Sequence, residues 1–194
     1  MRGLPSAAIQ PVLIVPDTTP STDREDLLNA LADEGARDPI VRRTAIWLAT
    51  RCALAHGRQP TDRQLAQCLL DGLHELVQYS DDPDDREEYN RAVTTLSSSP
   101  RMERSPITGS PKGTGDCEDL AVLYASLARA LGLRSQVVWI DQPRGAYNHV
   151  AAAVCDLGAG CEWVETTLPG ARVGENPYTA AERLGITHTL GVHR

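Results

Sequence analysis

The sequence predicts an α+β fold in which a series of helices leads into a buried helix and then an antiparallel meander. Three observations carry that expectation. Between residues 22 and 96, apolar positions recur at helical spacing behind recognisable N-caps. Residues 117–131 are apolar nearly all round, as a helix covered on most sides must be. Beyond Gly132 the pattern switches to three short strand-like runs separated by turn residues.

Each element has its own signal. Residues 1–21, with Pro5, Pro11, Pro16 and Pro20, read as an extended arm. Thr22 and Glu25 form a capping-box pattern ahead of Leu27, Leu28 and Leu31, and Gly35 closes that segment. Asp38 and Pro39 read as the N-cap and first-turn proline of a helix that runs to about His56 and stops at Gly57. Thr61 and Gln64 repeat the capping box before the stripe Leu65, Leu69, Leu73, Leu76 and Val77. Asp82-Pro83 opens a fourth, shorter helix with an acidic first turn that suits the helix dipole. The acid-rich run from Asp81 to Glu88 lacks the glycine and alternating oxygen ligands of a calcium loop, so it reads as a solvated helix start.

Residues 97–115 read as loop, and GSPKGTGD does not match the phosphate-cradling GxxxxGK[ST] pattern. Gly132-Leu133 has the form of a C-terminal cap for the buried helix. The strand runs are SQVVWID (135–141), YNHVAAAV (147–154) and CEWVETT (161–167), the last two joined by the turn sequence DLGAG. NPYTAAERLG adds a short helix capped by Asn176. The domain reading is an arm (1–21), a helical part (22–96) and a core with its tail (97–194), forming one compact domain.

Composition narrows the function. A net charge of −7 with no basic face argues against a nucleic-acid partner. The N-terminal apolar run is broken by Gln10 and Pro11 and is too short for a signal segment or a membrane span. The expectation is a soluble cytoplasmic protein with no membrane association, whose cysteines are thiols. Cys52 and Cys68 fall within helical patterns and read as small core residues. Cys155 and Cys161 flank a turn and are placed to bridge it if geometry and compartment allow. A zinc site from Cys117, Cys155, Cys161 and His149 lacks any CxxC pair, and no motif requires calcium, another metal or a cofactor.

Cys117 stands apart from the others. Asp116 is a good N-cap, which puts Cys117 at the first helical position beside unpaired backbone N–H groups. That setting favours a thiolate. The neighbouring Asp116, Glu118 and Asp119 oppose it, because negative charge disfavours a second anion. The dipole contributes only about 0.3–1 kcal/mol at an exposed site, so a reactive Cys117 needs a protonated histidine nearby. His149 alone lies in a strand-like run able to face the buried helix. If Cys155 pairs near Cys161, positions 149, 151, 153 and 155 share a face with 161, 163, 165 and 167. His149 and Glu165 are then opposed or diagonal neighbours. A nucleophile, a base and an acidic orienter thus come from three separate elements.

GDCED at a helix start, NHV on one strand and WVETT on the next resemble the transglutaminase-like superfamily of papain-type folds, whose site residues run Cys, His, Asp. The match is strongest over residues 113–167. A looser similarity to phage-associated members extends back through DPIVRRTA and ELVQYSDDP, and GDCED also resembles bacterial transglutaminase-like cysteine proteinases. The resemblance implies a papain-like core and a thiol acyl-transfer site with Cys117 as nucleophile, His149 as base and Glu165 at the acid position. Glu there is one methylene longer than the usual Asp. It further implies a protein or peptide substrate, with the acyl group passing to water or to an amine; the competing expectation is a non-catalytic scaffold. The Cys117 N–H is one candidate oxyanion donor, Gln78 and Trp47 are candidates for a second, and Trp139 and Trp163 read as wall or core residues.

Overall fold

Asp38 accepts hydrogen bonds from the N–H groups of Ile40 (2.7 Å) and Val41 (3.2 Å), so the helix behind it starts where its first-turn proline requires. In this computed structural model, which describes residues 13–14, 20–80, 88–97, 113–140, 149–158 and 160–185, the elements run as follows. The N-terminal part holds β1 (Leu13–Ile14), α1 (Ser21–Gly35), α2 (Pro39–His56), α3 (Asp62–Leu76), β2 (Val77–Tyr79), β3 (Glu88–Tyr89) and α4 (Ala92–Ser97). The C-terminal part holds β4 (Gly113–Gly115), α5 (Cys117–Ala130), β5 (Ser135–Ile140), β6 (His149–Cys155), β7 (Cys161–Val164) and α6 (Pro177–Leu184).

The fold is α+β. Strands β5, β6 and β7 form an antiparallel sheet in that order. Helix α5 packs against β6 on one side and against α1, α2, α3 and α4 on the others, which explains why its apolar residues show no polar stripe. Leu120, Leu123, Tyr124 and Leu127 are fully buried, and the Tyr124 hydroxyl donates to the Ala66 carbonyl at 3.1 Å. With no phenylalanine in the chain, leucine, valine and alanine fill this core.

Most local signals lead where their chemistry points. Thr61 and Gln64 form both halves of the capping box of α3. Gly132 takes φ +85° after α5, and the Leu133 N–H returns to the Ala128 carbonyl at 3.0 Å. Asn176 accepts from the Thr179 N–H at 2.9 Å and starts α6.

Two expectations are corrected here. Helix α1 starts at Ser21 behind Pro20 with no side-chain cap. Glu25 is drawn away, its Oε2 accepting from the Trp139 N–H at 2.9 Å on β5. Gly35 is the last residue of α1, and a Cβ there would collide with Ser126 of α5. The expected fourth helix begins in residues 81–87, which lie outside the described ones; Glu88–Tyr89 is a strand paired with Leu13–Ile14, and the helix is Ala92–Ser97. Between that strand and α4, Asn90 donates both its backbone N–H and its Nδ2 to Asp119 at 2.7 Å each.

The remaining corrections concern cysteines and the glycine-rich stretch. Gly113–Gly115 is not loop but a strand parallel to β2. Cys52 and Cys68 are not separate core thiols; they form a disulfide that joins α2 to α3. Cys155 and Cys161 are also joined, directly across the β6–β7 pair. Cys117 is the free cysteine.

Candidate functional site

The site lies where β4 hands the chain to α5, beside the end of β6. Parallel pairing of Gly113, Thr114 and Gly115 with Val77, Gln78 and Tyr79 delivers Asp116 to the helix start. Glycine is needed at 113 because a Cβ would overlap the backbone carbonyl of Thr95. Asp116 then caps α5, accepting from the Asp119 N–H at 3.4 Å and leaving Cys117 as the first helical residue.

The β6–β7 hairpin brings His149 and Glu165 together. Cys155 pairs with Cys161 and Ala152 with Val164, a register that puts Glu165 diagonal to His149. His149 Nε2 lies 2.8 Å from Glu165 Oε2, and both side chains are buried. Glu165 Oε1 accepts from the N–H (2.8 Å) and the hydroxyl (2.6 Å) of Thr167. Burial alone raises the Glu165 pKa, but the bonds from His149 and Thr167 outweigh it, and the carboxyl sits below its ordinary range. With Nε2 taken up by Glu165, Nδ1 is the ring nitrogen left to accept a proton.

The sequence expectation ends β7 at Thr167, whereas the strand stops at Val164. His74 of α3 meets the Thr166 carbonyl through Nε2 at 2.8 Å, and Thr167 turns back onto Glu165. The chain therefore leaves β6 just past Val164. At this opening the Val150 backbone comes near enough to Cys117 to favour its thiolate.

Cys117 itself is half-buried, and its thiol donates to Glu118 Oε2 at 2.8 Å. Burial, then the charges of Glu118 and Asp116 and the bond to Glu118, raise its pKa well above the ordinary thiol value. Only the Val150 N–H works the other way. The acidic neighbours thus oppose the thiolate as their charge requires.

Trp47 on α2 packs against the core, with the Arg51 guanidinium 4.9 Å over its ring. Gln78 is on β2 beside Thr114. Trp139 packs against the core beneath Arg24, and Trp163 is half-buried on β7. Sequence reasoning missed His74, Thr167 and the hydrogen bond from the Cys117 thiol to Glu118. For Thr167 a local signal existed, a hydroxyl residue two positions after an acid. For His74 there was none, since it reaches Thr166 across 92 positions.

A model of the transglutaminase-like superfamily matches residues 52–167, which include Cys117, His149 and Glu165. The chain belongs to this superfamily. The matched span begins at Cys52, so ELVQYSDDP falls inside the superfamily region and DPIVRRTA outside it. No curated protein and no solved structure matches the chain significantly. Superfamily members are commonly cysteine proteases or acyltransferases. Among the described residues, no helix is long and apolar enough to cross a membrane.

Proposed function

We propose that the chain is a thiol-dependent amide hydrolase or acyltransferase acting on a protein or peptide, with Cys117 as nucleophile, His149 as base and Glu165 as the group that orients His149. The supporting observation is the buried His149–Glu165 hydrogen bond at the start of β6, the strand against which the helix opened by Cys117 packs. Glu165 holds Nε2, so His149 Nδ1 takes the thiol proton as the sulfur attacks the amide carbonyl. The Cys117 N–H, which has no intrahelical acceptor at its position, faces the developing oxyanion. His149 returns the proton to the leaving amine, and water or a second amine then releases the thioester. Because the resting thiol is held protonated, it ionises only as the proton moves to His149 during the step.

The Cys117–Glu118 bond favours a second reading, a non-catalytic scaffold of phage-derived type in which the thiol stays protonated. Profiling a peptide and protein library with the wild type and Cys117→Ala separates the two. A turnover lost with Cys117 supports the enzyme, and identical profiles support the scaffold. Neither reading involves nucleic acid or a membrane.

The proposed location is the cytoplasm, where the four paired sulfurs would be thiols. The disulfide-bonded form belongs instead to an oxidising compartment. Counting free thiols after alkylation at the moment of lysis distinguishes these; oxidised pairs in fresh lysate would sink the cytoplasmic assignment.

A further inference from the structure

Cys52 and His56 lie four residues apart on the last turns of α2, so their side chains stack on one face. Cys68 faces them from α3, with its Cα 5.8 Å from that of Cys52. His56 Nε2 is 4.0 Å from Cys68 Sγ, and the three potential ligand atoms all lie within 4.8 Å of one another. We propose that, once the Cys52–Cys68 disulfide is reduced, Cys52, His56 and Cys68 form a zinc site that replaces the disulfide as the clasp between α2 and α3.

The dimensions suit a tetrahedral zinc ion. Zn–S bonds near 2.3 Å and Zn–N bonds near 2.0–2.1 Å imply an N···S edge of about 3.6 Å and an S···S edge of about 3.8 Å. The imidazole is already close to the first distance. The sulfurs must separate by rotating about their own side-chain bonds, which the Cα spacing permits. Cys52 is buried, Cys68 half-buried and His56 exposed, so the ion has a way in and a fourth position for water. The 3.4 Å contact between Gln64 Nε2 and His56 Nδ1 would be given up, because a metal on Nε2 leaves the proton on Nδ1. Two thiolates and an imidazole are a donor set zinc prefers.

The chemistry balances. A dithiol reductant supplies two electrons and two protons to the S–S bond and leaves as its own disulfide. Zinc then displaces the two thiol protons and binds both sulfurs and Nε2. Helix α3 also carries His74, which holds the Thr166 carbonyl, and Gln67, which bonds Ala171 and Val173. A clasp kept in both redox states keeps this support under the Glu165 turn.

The test uses the full chain with Cys117, Cys155 and Cys161 changed to Ser, so that no other thiol competes. Reduced protein is titrated with Zn²⁺ against a chromophoric chelator. One zinc per chain is expected, with binding lost in the disulfide form and in a Cys68→Ser addition. A His56→Ala addition should weaken binding by at least the roughly tenfold that loss of even an outer-shell partner costs. His56 is exposed, so that variant keeps the core intact. Absent zinc binding by the reduced, folded chain, or an affinity indifferent to His56→Ala, overturns the proposal.

Discussion

Thr167 donates twice to Glu165, its N–H and its hydroxyl both reaching Oε1, at 2.8 and 2.6 Å. The other carboxylate oxygen is thereby left for His149 Nε2. The extra methylene of glutamate is taken up in this closed turn, which fixes a side chain that would otherwise have one more free rotation than aspartate. Thr167→Val keeps the shape and removes the hydroxyl. Loss of about 1.5–3 kcal/mol is expected, as for a hydrogen bond to a charged group, together with a fall in kcat larger than any rise in KM. Denaturant melts and steady-state kinetics check both, and Thr167→Ser should restore most of each.

Burial, together with the charges of Glu118 and Asp116, holds the resting thiol protonated. Glu118→Gln removes a negative charge that disfavours the thiolate, so the Cys117 pKa should fall. Iodoacetamide alkylation followed against pH should show a midpoint above the ordinary thiol value of about 8.5 in the wild type, and a lower one in the variant. Coincident midpoints would show that the 2.8 Å contact does not govern the thiol.

Glu165 contributes pH-dependent stability. Its folded-state pKa lies below 4.5, so the stabilisation is present above the unfolded value and is lost as pH falls through the folded one. The stability difference between wild type and Glu165→Gln should be full near neutrality and shrink in acid below about pH 4.3, the ordinary Glu pKa. Urea melts of both proteins from pH 7 to pH 3 measure it. A gap that widens in acid contradicts the assignment.

Gly113→Ala should destabilise the strand that delivers Asp116 to its cap. The added Cβ meets the Thr95 carbonyl, a backbone atom with little room to yield. A cost of about 1–3 kcal/mol or more is expected from such overpacking. Gly160→Ala, whose Cβ meets open space, serves as the control and should be close to neutral. Thermal melts compare them.

Where local chemistry governs, the sequence was readable. The starts of α2, α3, α5 and α6 follow from Asp38, Thr61, Asp116 and Asn176, each bonding an N–H two or three residues ahead. Where a distant group competes, it was not. Glu25 abandons its cap for Trp139, 114 positions away. Asp119 holds Asn90, 29 positions away, between β3 and α4. Cys52 and Cys68 each fit a helical pattern, and only the antiparallel packing of α2 on α3 brings their sulfurs together.

By itself the sequence determined the α+β class, the helix start under Cys117 and the hairpin face shared by His149 and Glu165, because caps act within one turn and strand faces alternate with period two. The tertiary structure decided what those groups touch. It turned the Cys117 thiol to Glu118, and past the end of β7 at Val164 it placed the Thr166 carbonyl on His74. Those contacts depend on how α3, α5 and β6 pack, and packing sums over the whole core, which no single window of sequence contains.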